Sequence, residues 1–571
     1  MELLAISIPS TFSNVYIAVL RWVMPILTFL ILYRSVKPLL FFRREPEIWA
    51  WICIQGGESI PVTHWENIIG RHKNSDIVID FPTVSRTHAV LTRYDDGSWT
   101  VSDADSSGGL SVNGRKVKIH ALEEEDVIEI GGIEMTLKPI SRRQEQKLAK
   151  LRTRASSFLD SFLNVVLLSV MQVLCAMAFV MNGKPEMLTQ TIVGFGGIMV
   201  CQWLLLLFYA TIRRSAFEVE TIAFLLCTMG MAVIATCVPG EAIKQLISMA
   251  GGIVLFLIIG WSLRDLERAK KMRYLAAVGG IGLLLLTLAI GQRIGGAKAW
   301  IFIGPISLQP SELAKVCFVF VGASAMDRIV TKRNLISFIA YSVIICGCLA
   351  LMNDFGGALI FFCAFLVIAY LRSGSVGTIG LACTALGFAG VVVVKFAPHA
   401  LARFATWRHI WEDLSGNGYQ QTQGLMRMAS GGLLGVGAGN RSENVFPVPD
   451  SDMVIPSVGE EWGFLIAVML VLSIIALGIF VIRSAVVGRS SFYTIGSCAA
   501  ATILLMQTIL NALGAVDVIP FTGVTFPFLS NGGSGMLCAW GLLAFVKAAD
   551  TRQNASFAVR LTKSKGGDLD E

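Results

Sequence analysis

Charge is what this 571-residue chain has least of. Only 15% of its residues are Asp, Glu, Lys or Arg, against about 25% in an ordinary soluble domain. That scarcity excludes a disordered protein, a coiled coil and a simple soluble enzyme. Also lacking is any C-x-x-C pair or His/Cys cluster among the 12 cysteines. Neither a disulfide framework nor a zinc site is expected. Cys175, Cys201, Cys227, Cys237, Cys346, Cys348 and Cys363 sit inside apolar runs and read as small buried hydrophobes. A cleavable signal layout is missing too. No basic region precedes the first apolar stretch, and Arg34, Lys37, Arg43 and Arg44 follow it, so that stretch reads as a retained span. The net charge of +7 is too modest to suggest nucleic acid as a partner.

What is present is apolar. Hydrophobic residues make up 54% of the chain, and the mean hydropathy is +0.66. Repeated stretches near 20 residues read as spanning helices, and the 55 glycines suit them. The expected fold is a polytopic α-helical membrane protein of about 13 spans. These are placed near 15–33, 158–181, 187–212, 216–238, 243–262, 273–292, 311–326, 334–352, 354–373, 376–396, 456–483, 492–512 and 532–549. Lys and Arg clusters at 34–44, 142–154, 213–214, 264–273, 328–333, 372, 483–489 and from 547 onward all fall on one side of that count. The positive-inside rule then puts them in the cytoplasm. The loops at 293–310 and 397–455 fall outside, and the second is too long for a mere connector.

Between the first two spans lies a polar segment of short alternating runs separated by turn signals. These are Gly56-Gly57, Asp95-Asp96-Gly97, Asn113-Gly114 and Gly131-Gly132, the pattern of an all-β domain. Six basic residues between 142 and 154 follow as a linker. The expected organisation is an N-terminal span within 1–44, the β-domain at 45–140, the linker at 141–157 and two further spans at 158–212. The main membrane domain occupies 213–552 and a cytoplasmic tail 553–571.

The β-segment contains Gly70-Arg71, Ser85-Arg86-Thr87-His88, Ser106-Ser107-Gly108-Gly109 and Val112-Asn113-Gly114. In order and spacing these resemble the forkhead-associated (FHA) domain. The resemblance implies a cytoplasmic β-sandwich whose loops bind phosphothreonine in proteins of a Ser/Thr kinase pathway. It carries phosphate contact over to Arg71 and Ser85, with Arg86 and Ser107 beside them, and a structural role to His88. Guanidinium and hydroxyl groups suit a phosphate of nearly two charges. Gly108 stands where the family has an Asn that holds the peptide backbone.

Four patches put polar residues at membrane depth or in outer loops, where they are costly and default to functional candidates. One runs from Gly295 through Lys298 and Trp300 to Ser311, Glu312 and Lys315. The second is Asn353-Asp354-Phe-Gly-Gly357. The third runs from Gly418-Tyr419-Gln420-Gln421 through Ser430-Gly431-Gly432 and Asp450-Ser451-Asp452-Met453 to Glu460-Glu461. The fourth runs from Pro520 to Ser534. Glu312 and Lys315 share a helix face and can pair. Asp354 suits a helix start.

In order and spacing the four patches resemble the SEDS family (shape, elongation, division and sporulation; FtsW- and RodA-like), over about residues 216–549, the ten-helix core. The resemblance implies a peptidoglycan glycosyltransferase that polymerises lipid II, an undecaprenyl-pyrophosphate-linked disaccharide peptide, at the outer membrane face. The implied partner is a class B penicillin-binding protein, the transpeptidase. The family's essential aspartate maps to Asp452. Trp300, Glu312, Lys315, Asp354, Arg403, Gln420 and Ser534 form the candidate substrate-binding set. Asp450 stands in place of a His, Asn531 in place of a Tyr, and Ala299 in place of an Arg. In the implied reaction a carboxylate takes the acceptor hydroxyl's proton. Arg403, Lys298, Lys315 or a divalent cation, Mg or Mn, meets the departing diphosphate. A lipid II flippase and a silent division scaffold are the competing readings, since a polar cavity in a helix bundle serves each.

Overall fold

A computed structural model describes residues 10–41, 48–73, 75–94, 97–141, 144, 156–182, 188–294, 296–304, 306–327, 332–373, 376–396, 398–441, 447–488, 490–552 and 555–556. Most of the basic linker and most of the tail lie outside these residues.

Residues 50–139 form two facing sheets, of six and five strands. The turns explain the local geometry. Asn113 and Gly114 both take positive φ, as a two-residue hairpin of twisted strands requires, and they join Leu110–Val112 to Arg115–Val117. Gly131 and Gly132 do the same between Val127–Ile130 and Ile133–Pro139. Alternate residues face inward. Ile52, Ile69, Val101, Ile128 and Met135, all at most 1% exposed, form the shared core.

The remainder is helical: α1 (Ser10–Leu40), α2 (Phe158–Asn182), α3 (Leu188–Thr211), α4 (Glu218–Cys237), α5 (Ala242–Leu263), α6 (Leu266–Ile290), α7 (Pro310–Asp327), α8 (Lys332–Leu351), α9 (Phe355–Ser373), α10 (Val376–Phe396), α11 (Pro398–Thr406), α12 (Tyr419–Gly431), α13 (Val454–Trp462), α14 (Phe464–Ala485), α15 (Ser491–Ala515) and α16 (Gly533–Ala548). Among the described residues, 9 helices are long and apolar enough to cross a membrane. Leu335–Leu351 and Gly533–Ala548 are apolar but shorter.

Two expectations change. The span expected at 456–483 is two helices, α13 and α14, because Gly463 has φ +94°, a conformation closed to an α-helix interior. The loop expected at 293–310 contains a three-stranded antiparallel sheet, Gln292–Ile294, Ala297–Ile303 and Ile306–Leu308.

α2 and α3 dock on α4 through polar groups. Gln172 and Gln202 exchange Nε2–H···Oε1 bonds of 3.0 Å in both directions, and Gln172 Nε2 also donates to Thr228 Oγ1 of α4 at 3.0 Å. A paired amide face suits lipid, where an unpaired one would cost several kcal/mol.

α4 is almost wholly buried and carries a polar cluster at each end. At its start Glu218 accepts from Arg552 at 3.2 Å through both carboxylate oxygens and from the Ser156 hydroxyl. Arg552 also holds Asp550 at 2.7 Å and donates to Pro38 O at 3.4 Å. Lys547 pairs with Glu220 at 3.1 Å. At the far end of α4 the Thr236 hydroxyl bonds to Glu461 of α13 at 2.8 Å. Pro38 and Ser156 flank the β-sandwich in sequence. Both of its attachment points therefore meet one end of α4, and the long 397–455 segment meets the other, where Arg441 donates to Cys237 Sγ, about 27 Å away at 1.5 Å per residue.

Candidate active site

The 447–453 turn carries Asp452. The Ser457 hydroxyl of α13 donates to Pro449 O at 2.6 Å and fixes the turn's exit. Further along, α13 is held by ion pairs from Arg427 and Arg441 to Glu460, both 3.1 Å. It also lies backbone to backbone against the end of α12. A Cβ on Gly431 would sit 2.1 Å from Gly459 O, and one on Gly435 2.3 Å from Glu461 O. Glycine is required there because nothing larger fits the gap.

Three successive carbonyls of the turn are each held by a donor from the 511–531 region. Asn531 N–H donates to Asp450 O at 2.8 Å. Ser530 Oγ donates to Ser451 O at 2.6 Å. Asn511 Nδ2 donates to Asp452 O at 3.0 Å. The departures at 450 and 531 touch one another, since Asn531 Nδ2 donates to Asp450 Oδ2 at 2.8 Å. Asp450 is thereby tied down, and Asp452 accepts a 3.3 Å bond from the Ser451 hydroxyl.

Arg403 lies close to Asp452. A Cβ on Gly523 would lie 3.3 Å from Asp452 Oδ2 and 3.8 Å from Arg403 Nη2, so both charged groups converge on one face of that glycine. Arg403 spends Nη1 on Thr522 O at 2.9 Å and turns Nη2 toward Asp452. Burial pushes the Asp452 carboxyl above the usual carboxylate range. The Ser451 hydroxyl and the Arg403 charge pull it down, and Asp450 adds to the rise. A raised carboxyl is a better proton acceptor than a free one.

The other candidates make separate contacts. Glu312 and Lys315 of α7 form a buried ion pair of 2.6 Å, with Gln507 Nε2 3.4 Å from Glu312 Oε2. Lys315 is 2% exposed and committed to Glu312, as a structural ion pair within α7. Asp354 precedes α9 and accepts from Gly357 N–H at 2.8 Å. Its field reaches Arg403. Lys298 Nζ turns back to Leu288 O, and Trp300 is partly buried against the helical core. Ser534 accepts from Gln309 N–H at 3.1 Å, and Gln420 Nε2 lies 3.4 Å from Pro447 O. Of the three cations named from sequence, Arg403 is the one that faces Asp452. Among the described residues no three His, Cys, Asp or Glu side chains gather as a metal site.

The second site lies on the sandwich. Ser85 Oγ and Ser107 Oγ are 3.0 Å apart, and Ser107 N–H donates to Ser85 Oγ at 3.1 Å. Arg71 and Arg86 are exposed beside them, and Arg71 N–H donates to Ser85 O. His88 is fully buried. Its Nδ1 accepts from Ser85 N–H at 3.1 Å, so the Nε2 proton goes to Gly109 O at 2.9 Å. His88 therefore shapes the loop. Asn511 was missed in the sequence, and an amide inside the apolar run of α15, one turn after Gln507, was its signal.

A helix bundle with a loop carboxylate opposed to a guanidinium at one end, and a phosphopeptide-type sandwich tethered at the other, defines a class. The family of cell cycle proteins comprising FtsW, RodA and SpoVE matches residues 240–555, and the chain belongs to it. The FHA domain family matches residues 67–131. Among relatives, the chain is similar to the peptidoglycan glycosyltransferase RodA of Mycobacterium tuberculosis H37Rv, with 29% identity over 54% of this chain and 69% of that one. It is also similar to a probable peptidoglycan glycosyltransferase FtsW of Nitrosococcus halophilus, with 30% identity over 52% of this chain and 81% of that one. One solved chain, from a study of how a peptidoglycan synthase complex coordinates polymerization and crosslinking, is 24% identical. It covers 58% of this chain and 96% of its own at a TM-score of 0.48.

Proposed function

We infer that the chain is a peptidoglycan glycosyltransferase that polymerises lipid II. Family membership supports the activity, and the convergence of Asp452 and Arg403 on Gly523 carries the residue assignment. Asp452 takes the proton of the acceptor hydroxyl as that oxygen attacks the anomeric carbon. The bond to the lipid diphosphate breaks, and Arg403 meets the charge that develops on it. A positioned base contributes about 10²–10⁴-fold.

The Asp452 end of the bundle faces outward and the sandwich inward. The Lys and Arg clusters support that sidedness, as does the separation of the two ends along α4. On the inner side Arg71, Ser85, Arg86 and Ser107 hold a phosphothreonine, which makes polymerisation responsive to a kinase. A class B penicillin-binding protein crosslinks the strands produced, as the SEDS resemblance implies.

The test is polymerisation of lipid II by the purified full-length protein. Asp452→Asn keeps size and removes basicity, and strand synthesis should fall at least 100-fold with folding intact. Asp450→Asn should do less harm, because Asp450 is bound to Asn531. Normal strand synthesis by Asp452→Asn sinks the mechanism.

A further inference from the structure

Asn511 lies in none of the four patches. It is 1% exposed in the last turns of α15. Its Nδ2 is shared between Asp452 O at 3.0 Å and Val524 O at 2.8 Å. One amide thus ties the backbone that carries the carboxylate to the segment that carries Gly523 and Thr522. Thr522 O in turn holds Arg403. The chain of contacts from carboxylate to guanidinium passes through this side chain. Meanwhile Asn511 Oδ1 is buried without a hydrogen-bond partner. A position needed for packing alone would be better filled by an apolar residue, because a lone buried acceptor loses its water for nothing. The donor half of the amide is the half that is used.

We propose that Asn511 is a positioning residue for polymerisation: its amide fixes the spacing between the Asp452 carboxylate and the Arg403 guanidinium. Ser530 and Asn531 hold the two preceding carbonyls of the same turn and share the task. This rests on the reading of Asp452 as the base. A base displaced by an ångström loses much of its advantage, so the effect of loosening falls on turnover and not on substrate affinity.

The experiment uses the full-length protein in detergent with lipid II, and reads kcat, KM and the pH profile of polymerisation. Asn511→Leu removes the donor, and Asn511→Asp sets an oxygen against two carbonyls. Each should lower kcat at least tenfold, with KM within twofold of wild type. The groups facing Asp452 are Arg403 from α11 and Asp450 from its own turn. A loosened Asp452 is better hydrated, so the acid limb of the profile should move to lower pH in Asn511→Leu. Ser530→Ala should show a smaller loss, and Ser530→Thr, which keeps the hydroxyl, should recover most of it. These two serve if the Asn511 variants fail to fold.

Asp452→Asn run in parallel separates the two claims. If it polymerises normally, the base assignment is wrong whatever Asn511 does. If it is inactive while folded Asn511→Leu keeps wild-type kcat and acid limb, the positioning role is wrong. A fall in kcat matched by loss of folded protein, with the acid limb unmoved and Ser530→Ala silent, also overturns the proposal.

Discussion

Gly431→Ala sets two effects of opposite sign against each other. Gly431 is helical, in the last turn of α12, and alanine is the better helix former by about 1 kcal/mol. The contacts say otherwise. The new methyl would meet Gly459 O at 2.1 Å, Glu460 O at 2.6 Å and Glu460 Cα at 2.7 Å. These are backbone atoms of α13, so no flexible side chain can swing away. The helices must separate by about 1 Å to restore ordinary contact, and overpacking of that kind costs about 1–3 kcal/mol. The contact term should win. The shift also reaches Asp452, which enters α13 two residues upstream of Val454. A displacement near 1 Å can cost about 10²-fold in rate. Thermal unfolding of the detergent-solubilised protein and lipid II polymerisation should both show the loss. Gly196→Ala in α3 is the control, because nothing lies within 4 Å of its added methyl, and it should leave both readings unchanged or slightly improved. Gly431→Ala with wild-type melting and turnover would refute the reasoning.

Three further outcomes are expected. Gly108→Asn has room, its Cβ standing 3.5 Å from His88 Cε1. One new hydrogen bond of about 0.5–1.5 kcal/mol should tighten phosphothreonine-peptide binding by about two- to tenfold in calorimetry, while Arg71→Ala abolishes it. Arg552→Met strands Glu218 and Asp550, both at most 2% exposed, and should cost about 3–5 kcal/mol. Glu218→Gln, Asp550→Asn and Arg552→Met together should recover most of that in the same melting assay. The raised Asp452 carboxyl must be ionised to act. Polymerisation should therefore fall as pH drops through a midpoint above the free carboxylate value of about 4, and a midpoint at or below it contradicts the burial argument.

What was legible in the sequence was what local rules control. Asn113-Gly114 and Gly131-Gly132 announce hairpins because φ > 0 is a property of those residues alone. Asp452 was singled out through its motif, and the fold sets it beside Arg403. The tie between Asp450 and Asn531 was not, since the two are 81 residues apart and only the fold shows that one departure answers the other. The break at Gly463 was hidden by the apolar runs on both sides, although Glu460 and Glu461 inside that stretch argue against an uninterrupted span. Lys315 looked available as a cation, and burial against Glu312 decides otherwise.

The cluster at the start of α4 has a mechanical consequence. Ser156 is fastened to Glu218, Pro38 to Arg552 and Leu40 to Arg483, so the sandwich hangs between two fixed anchors. The ten steps from Leu40 to Ala50 can reach at most about 35 Å. A domain on so short a leash cannot leave the neighbourhood of the bundle, and whatever it captures shares its confinement. Over such a span the effective concentration of captive and bundle is of the order of millimolar. Modest affinity for a phosphorylated protein is then enough to keep that protein beside the polymerase, and dephosphorylation is enough to release it.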